Sequence, residues 1–549
     1  MKFGDFNILS WTQEQYRLRK EKWKNLQHRK VLSVIIISFV AIIASVIVYF
    51  VIIPAVADYA TVRLRVLRDG TESFKRWEKQ PLPFITNIYL WNLTNPEEVS
   101  RGMANPKLVE VGPYVYEQIT LKRPLELRED SIVYMKTLMY HYRADLTAPR
   151  SLDDIVITLQ AALYGAAVMV HNMAPSMMGM VEKAVPSLFP GINSIFVPVR
   201  VGDYLFDGVV LNCSNKASVY AQMVCRALPN NAPQTIRKLP NSSDYAYSFL
   251  HHKNATEMGP YEEIRGVEDI RQIAQLVKLK NQSLLNIWQP NSQCDRLRGT
   301  DTLNFAPFVS KADKIEIYIP DICQVLPIYY QEESVTHGIE VYKFSVTDWL
   351  DSKDENPDNE CYCMEENERY CFKNGVRDIS QCMNAPIVIS HPHFYQGEAE
   401  FRDYAQGCSP DPDKHLSMVY LEPRSGVPVK AAKRIQFNMP LKRIKGFSFV
   451  ENVTEGIFPL MWLEESVEID EAHLWPVRFV LMAEWIVNFI CVCVGSLMVK
   501  IFVCALLSYL YLTRACCFRN ISSNRVTAIF YHPRSSSDTD RAQPDQTTM

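Results

Sequence analysis

The chain has 549 residues, 48% of them hydrophobic and 22% charged, with a formal net charge of -3. That length suffices for a large core or two to three domains, and the near-neutral balance excludes a global electrostatic pull toward nucleic acid or anionic surfaces. What distinguishes the sequence is where its apolar residues cluster, near the two ends.

Residues 1–30 set Trp11, Tyr16 and Trp23 among basic residues; Arg17 to Lys30 holds seven Lys/Arg against one Glu. Such a tail suits either the anionic inner leaflet or a solvated juxtamembrane position. Residues 31–53 then run for 23 apolar positions without a charge, enough to cross ~30 Å of hydrocarbon at ~1.5 Å per residue. Ala55-Val56-Ala57 resembles a cleavage site, but a signal peptide has a shorter apolar region and a shorter basic leader. The run predicts an uncleaved anchor.

Within the segment 54–484, the chain from Pro81 onward reads mostly as strands. FITNIYLWNLTNP and EVGPYVYEQITLKR are rich in aromatic and β-branched residues and bounded by Pro and Gly. DKIEIYIP alternates Ile315, Ile317 and Ile319 with Glu316 and Tyr318, and RIQFNMPL sets Ile435, Phe437 and Met439 opposite Gln436 and Asn438. So many runs predict a mainly β (α+β) fold built on a large antiparallel sheet or barrel. Ser151 to Phe189 departs from this. It opens with Asp153-Asp154, continues through the Ala-rich LQAALYGAAVMVHNM and stops at Pro186 and Pro190, a pattern that predicts helix. Met169, Met173, Met177, Met178 and Met180 crowd into it, as core filler or as a deformable apolar surface.

Cys213 and Cys225 flank a short helical piece, and their closeness predicts a local disulfide. Cys361, Cys363, Cys371 and Cys382 lack the paired C-x₂-C spacing of a zinc site and suit crosslinking in an oxidising compartment. Sequons at Asn92, Asn212, Asn241, Asn254, Asn281 and Asn452 all fall between the two apolar regions, as do nine of the fourteen cysteines; both tallies point to a glycosylated, disulfide-bonded ectodomain. Asp351 to Glu360 is acidic but lacks ordered calcium-loop spacing, so a solvated loop is expected there. His391 and His393 could supply two metal ligands, yet no third ligand stands nearby, and no metal or cofactor is expected.

A second apolar region, 485–512, is interrupted by Lys500, which either snorkels to the inner face or is an intramembrane functional charge. Arg514 and Arg519 follow it. By the positive-inside rule both tails, 1–30 and 513–549, are cytoplasmic, leaving Asn520 an unused sequon. Cys516 and Cys517 are palmitoylation candidates or free juxtamembrane thiols. His532 to Met549 is expected to be disordered.

LTNPEEV (93–99), EVGPYVY (110–116), GTD (299–301), CYC (361–363), HPHFY (391–395) and AAKRIQFNM (431–439), on this two-span topology, resemble the class B scavenger receptor family. Within it, residues 205–228 look like the insect sensory neuron membrane proteins. The resemblance implies a β-barrel-like ectodomain pierced by an apolar tunnel, with a cap of short helices at 151–196. It also implies the pairings Cys294–Cys361, Cys323–Cys382 and Cys363–Cys371, leaving Cys408 a free thiol. The family's ligand gate lies in the cap, where a lysine near its end would attract anionic lipids. Here Pro190 and Ile192 stand nearest that place and the closest cation is Lys183, which favours neutral esters, alcohols or aldehydes.

Catalytic signatures are missing: the sequence has no G-x-S-x-G, HExxH, Walker A or G-x-G-x-x-G. The expectation is therefore a non-enzymatic lipid receptor in the cell membrane. It would capture long-chain lipids, odorants or pheromones from a lipid carrier or the aqueous phase and pass them to the bilayer or an odorant receptor channel. A scavenging, adhesion or sorting receptor that binds protein through the cap is the alternative, with His171 as a pH-sensitive contact.

Overall fold

The computed structural model describes residues 8–215, 217–364 and 368–527. It divides at Tyr59/Ala60 and at Trp475/Pro476 into two compact units.

The first unit is helical. Ile8–Ile47 passes through a π-helical turn, Val48–Ile52, into the helix Ile53–Arg65. The turn has a local cause: Pro54 has no N–H to continue the ladder, and the Ile53 N–H reaches back to the Val48 carbonyl instead. The second long helix is Glu471–Thr527. Glu14–Arg65 and Glu471–Arg514 are both long and apolar enough to cross a membrane, and their apolar windows are almost wholly unburied. Phe39 meets Phe502 at 6.0 Å between ring centroids, and Gly495 lies close to Ser45. So much bare apolar surface is stable only in a hydrocarbon environment. Lys500 lies exposed on this helix, while the side chains of Cys516, Cys517 and Asn520 are outside the described residues.

The second unit, Ala60–Trp475, is α+β. Its strands are β1 (Phe84–Leu93), β2 (Leu108–Leu127), β3 (Ser131–Tyr142), β4 (Ile155–Leu159), β5 (Phe196–Arg200), β6 (Val209–Leu211), β7 (Ile236–Lys238), β8 (Tyr245–Tyr247) and β9 (Glu257–Ile264). They continue as β10 (Leu276–Leu279), β11 (Ile315–Ile319), β12 (Gln324–Thr336), β13 (Ile339–Ser345), β14 (Val376–Asp378), β15 (Val388–Ser390), β16 (Met418–Leu421), β17 (Pro428–Leu441) and β18 (Gly456–Glu468). Thirteen of them form one antiparallel sheet, ordered β10-β9-β3-β2-β1-β18-β17-β16-β13-β12-β11, with β15 paired to β17 and β14 to β15.

The sheet's two ends are joined by one short segment. The Leu276 N–H donates to the Gly299 carbonyl at 2.9 Å, while the Thr300 N–H donates to the Glu316 carbonyl at 2.9 Å and the Thr300 carbonyl accepts from the Tyr318 N–H at 2.8 Å. Residues 299–300 thus bond to β10 on one side and β11 on the other, nearly closing a barrel. Gly299 holds φ +83°, and a Cβ there would stand 2.7 Å from the Glu316 carbonyl oxygen; only glycine suits both demands.

β17 is buried on both faces from Arg434 to Leu441; β15 pairs along its edge at Gln436 to Asn438, and the HPHFY turn packs against it. Gln436 and Asn438, both fully buried, therefore need partners. Gln436 Oε1 accepts from Trp91 Nε1 at 3.3 Å and from His393 N–H at 3.0 Å, and its amide donates to Ser390 Oγ at 3.2 Å. Asn438 donates to the Val388 carbonyl at 3.0 Å.

The cap differs from the sequence expectation. Helix does not begin at Ser151: the run IVITL forms β4, which pairs with β5, since its β-branched residues fit a pleated surface better than a helical turn. The helices are Ala161–Met173, capped by Gln160, and Met178–Leu188. Pro186 does not stop the second helix; it lies inside it. A third helix, Val219–Asn231, packs against Met178–Leu188.

Candidate ligand cavity

Strand alternation carries side chains from many strands toward the barrel interior. Gln118 and Thr120 of β2, Lys136 and Leu138 of β3, Ile317 and Ile319 of β11, Leu326 and Ile328 of β12, and Ala431 to Ile435 of β17 line a cavity of about 1200 Å³, part of it open to solvent. Met258, Phe305, Val346 and Trp349 complete walls that are mostly apolar.

A charged belt crosses these walls. The Lys122 ammonium sits 2.6 Å from Asp301 and 3.3 Å from Glu263, all three side chains being at most 5% exposed. Trp77 Nε1–H also donates to Glu263, and Lys122 lies 4.8 Å from the Tyr134 ring centroid. Burial drives the Glu263 carboxyl above its ordinary range, whereas at Asp301 the charges of Lys122 and Lys136 outweigh burial and lower it. Lys433 bridges Glu465 and Asp321, and Lys253 reaches Asp321 at 2.5 Å. Burial opposes ionisation of Asp321, but Lys253 and Lys433 overcome it and hold the carboxyl far below its usual value. Arg434 pairs with Glu464 at 2.7 Å. At Lys136 burial prevails, and its pKa falls below the ordinary lysine value.

The sequence hides this belt. In EQITLKR, the polar residues Gln118, Thr120 and Lys122 look like a solvent face; in the structure they are buried, and Ile119 and Leu121 are the partly exposed ones. Polar alternation in a barrel strand does not say which face is wet. GTD (299–301), singled out only as a family likeness, unites two of the elements: Gly299 at the seam and Asp301 on Lys122.

The residues proposed from sequence for the ligand gate do not line the cavity. Met178 is 2% exposed and packs in the core, so it has no surface to offer an incoming molecule; Met173 and Met177 are exposed at 76% and 46%. Met169 and Met180 are half-buried. Lys183 is exposed and stands 5.3 Å over the Tyr220 ring, and His171 is exposed in the last turn of its helix.

Cys213–Cys225, Cys294–Cys361, Cys323–Cys382 and Cys363–Cys371 are bonded, each contributing about 2–4 kcal/mol. Cys408 is free and half-buried, its thiol pushed up to about 12 by burial. Asn241, Asn281 and Asn452 are exposed, while Asn92, Asn212 and Asn254 are half-buried. In those three the side-chain oxygens accept from the N–H of Ile157, Asn215 and Tyr140 respectively.

The two histidines of HPHFY serve structure. His393 Nδ1 accepts from Ser409 N–H at 2.9 Å, so Nε2–H donates to Glu110 at 2.7 Å. Trp462 Nε1–H donates to the same Glu110 oxygen, and the His415 ring stacks on His393 at 4.2 Å. His391 accepts from Trp349 Nε1–H at 3.1 Å. Among the described residues no three His, Cys, Asp or Glu side chains are grouped to hold a metal ion.

A scan against protein-family models matches residues 35–509 to the CD36 family. Sensory neuron membrane protein 2 of Ostrinia furnacalis is 32% identical over 450 residues, covering 80% of this chain and 86% of that protein. The Heliothis virescens protein of the same name is 34% identical over 417 residues, covering 74% and 79%. Sensory neuron membrane protein 1 of Pediculus humanus subsp. corporis is 30% identical over 410 residues, covering 74% and 77%.

Proposed function

Because the chain belongs to the CD36 family, we propose that it is a cell-surface receptor that captures apolar odorants or pheromones. It holds them in the ectodomain and hands them to the bilayer or an adjacent olfactory receptor. Both termini are cytoplasmic in this reading, following the basic residues that flank the spans, and the sensory role follows the names of the similar proteins.

The observation that carries the proposal is the mostly apolar cavity inside the sheet. Moving apolar surface out of water contributes ~25 cal/mol per Å², so a long alkyl chain gains several kcal/mol without a specific contact. Binding should be broad, reversible and weakly salt-dependent. No step requires an enzyme, a metal or a cofactor.

The test is displacement of a fluorescent long-chain probe from the full-length protein in detergent. Leu138→Trp projects extra volume into the cavity and is expected to weaken probe binding at least tenfold. Equal binding by wild type and Leu138→Trp would refute the cavity as the site.

A further inference from the structure

We propose a second binding site in the ectodomain, for a neutral polyhydroxyl compound such as a sugar ring, in a wedge between β12 and the chain that leaves β13. It goes beyond the receptor reading and does not depend on it.

The sheet itself creates the wedge. β12 pairs with β11 from Gln324 to Ile328, but with β13 only from Tyr329, which stands opposite Ser345. Past Ser345 the chain leaves β12, and the gap holds a cavity of about 560 Å³, part of it open to solvent. Leu326 and Trp349 line both this cavity and the apolar one.

Two polar side chains of the wedge are left without partners. Gln324 is fully buried, and among the described residues neither its amide nitrogen nor its amide oxygen has a hydrogen-bond partner. The same holds for the buried Oδ1 of Asp348. Neighbouring groups are already engaged: Arg298 pairs with Glu316 at 3.0 Å, Tyr362 donates to the Val325 carbonyl at 3.4 Å, and Trp349 donates to His391. Asn356 and Asn359 each donate to the Asp348 carbonyl at 3.3 Å, and Cys294–Cys361 crosslinks the wall. A firmly held amide donor, amide acceptor and carboxylate acceptor therefore remain for a ligand.

Their chemistry selects among ligands. An ammonium donates to Asp348 and to the Gln324 oxygen but offers no lone pair to the Gln324 N–H. A carboxylate or phosphate satisfies only that N–H and meets Asp348. Burial, Asp348, Asp358 and Glu316 together raise the Tyr329 phenol above its ordinary value, which marks the wedge as unfavourable to anions. Hydroxyls both donate and accept. One of a vicinal pair takes the Gln324 N–H while giving its proton to Asp348, and the other gives its proton to the Gln324 oxygen. Leu326, Pro327 and Tyr329 add apolar surface to the wall for the C–H face of a ring.

The experiment is saturation-transfer NMR on the full-length protein in a polyoxyethylene detergent, which carries no sugar head group. Glucose, mannose, N-acetylglucosamine and a released high-mannose oligosaccharide are the probes, with methylammonium and acetate as comparators. Wild type is expected to bind at least one of the sugars, and Gln324→Met and the more conservative Asp348→Asn should each weaken that binding about threefold or more. Displacement of a long-chain probe from the apolar cavity should stay within about twofold of wild type in both variants. Binding of the free sugars supports a small-molecule site, and binding of the oligosaccharide alone supports a site for the glycan of another glycoprotein. Binding of no sugar, or equal binding by wild type and both variants, overturns the site and leaves the wedge to water. Binding of methylammonium or acetate in place of sugar overturns the ligand class. Loss of long-chain probe binding in wild type would count against the receptor reading alone.

Discussion

Replacing Lys122 with methionine tests whether the belt holds the barrel together. The substitution keeps most of the apolar stem and removes the one cation that serves both Asp301 and Glu263, whose side chains are 5% and 0% exposed. Removing one partner from a buried ion pair costs about 3–5 kcal/mol, because the remaining charge stays desolvated. Roughly 400 residues form this unit, and at ~2.1 cal/mol/K per residue its unfolding entropy is about 0.9 kcal/mol/K. The expected fall in melting temperature is therefore about 3–6 °C, read by tryptophan fluorescence on the detergent-solubilised chain. Lys122→Met combined with Glu263→Gln and Asp301→Asn should recover most of it, since no unpaired charge is left. A loss below about 1 °C in the single variant, or no recovery in the triple, would refute the argument.

Acid should destabilise the same unit. Burial and the neighbouring His415 charge lower the His391 pKa from 6.5 to about 4, so the unfolded chain binds the extra proton and stability present above pH 6.5 is lost as pH falls toward 4. The loss from His391 is about 2 kcal/mol by pH 5, and His391→Phe should make that part of the profile shallower, while His252 and His415, also lowered to about 4 by burial, keep a share of it; an unchanged slope between pH 7 and 5 would sink the assignment. Gly299→Ala is expected to cost about 2 kcal/mol or more, from the positive φ and from the Glu316 carbonyl 2.7 Å from the new Cβ, which chemical denaturation of the two proteins will show. Met178→Glu should abolish folded yield by burying a charge, whereas Met177→Glu should fold normally; lost lipid uptake in Met177→Glu alone would place the route through the cap. Peptide mapping should find Asn241, Asn281 and Asn452 glycosylated more fully than Asn92, Asn212 and Asn254, and the reverse order would mean that exposure does not govern occupancy here.

The strand runs, the apolar ends and the short helix after Cys213 were legible because each is a local pattern: a period of two, an uninterrupted apolar stretch, an Ala-rich segment. The alternation in DKIEIYIP reappears as β11, and LQAALYGAAVMVHNM lies largely within one helix. What failed were inferences needing knowledge of a segment's surroundings. Asp153-Asp154 looked like a helix start, but the five residues after it pair with β5, a partner some forty residues away. Met177 and Met178 are indistinguishable in sequence, yet one is 46% exposed and the other 2%. The belt was invisible for the same reason: whether Gln118, Thr120 and Lys122 face water or a cavity depends on closure of the whole sheet, which no window of residues reports.

The joint at Gly299 and Thr300 also bears on how these molecules coexist. An open sheet of this width would present two rims of unsatisfied peptide groups, each able to recruit a strand from the next copy. Proteins confined to a surface meet their own kind far more often than proteins in bulk solution do. By occupying both rims with a few residues of its own backbone, the chain keeps crowded neighbours from polymerising through their sheets.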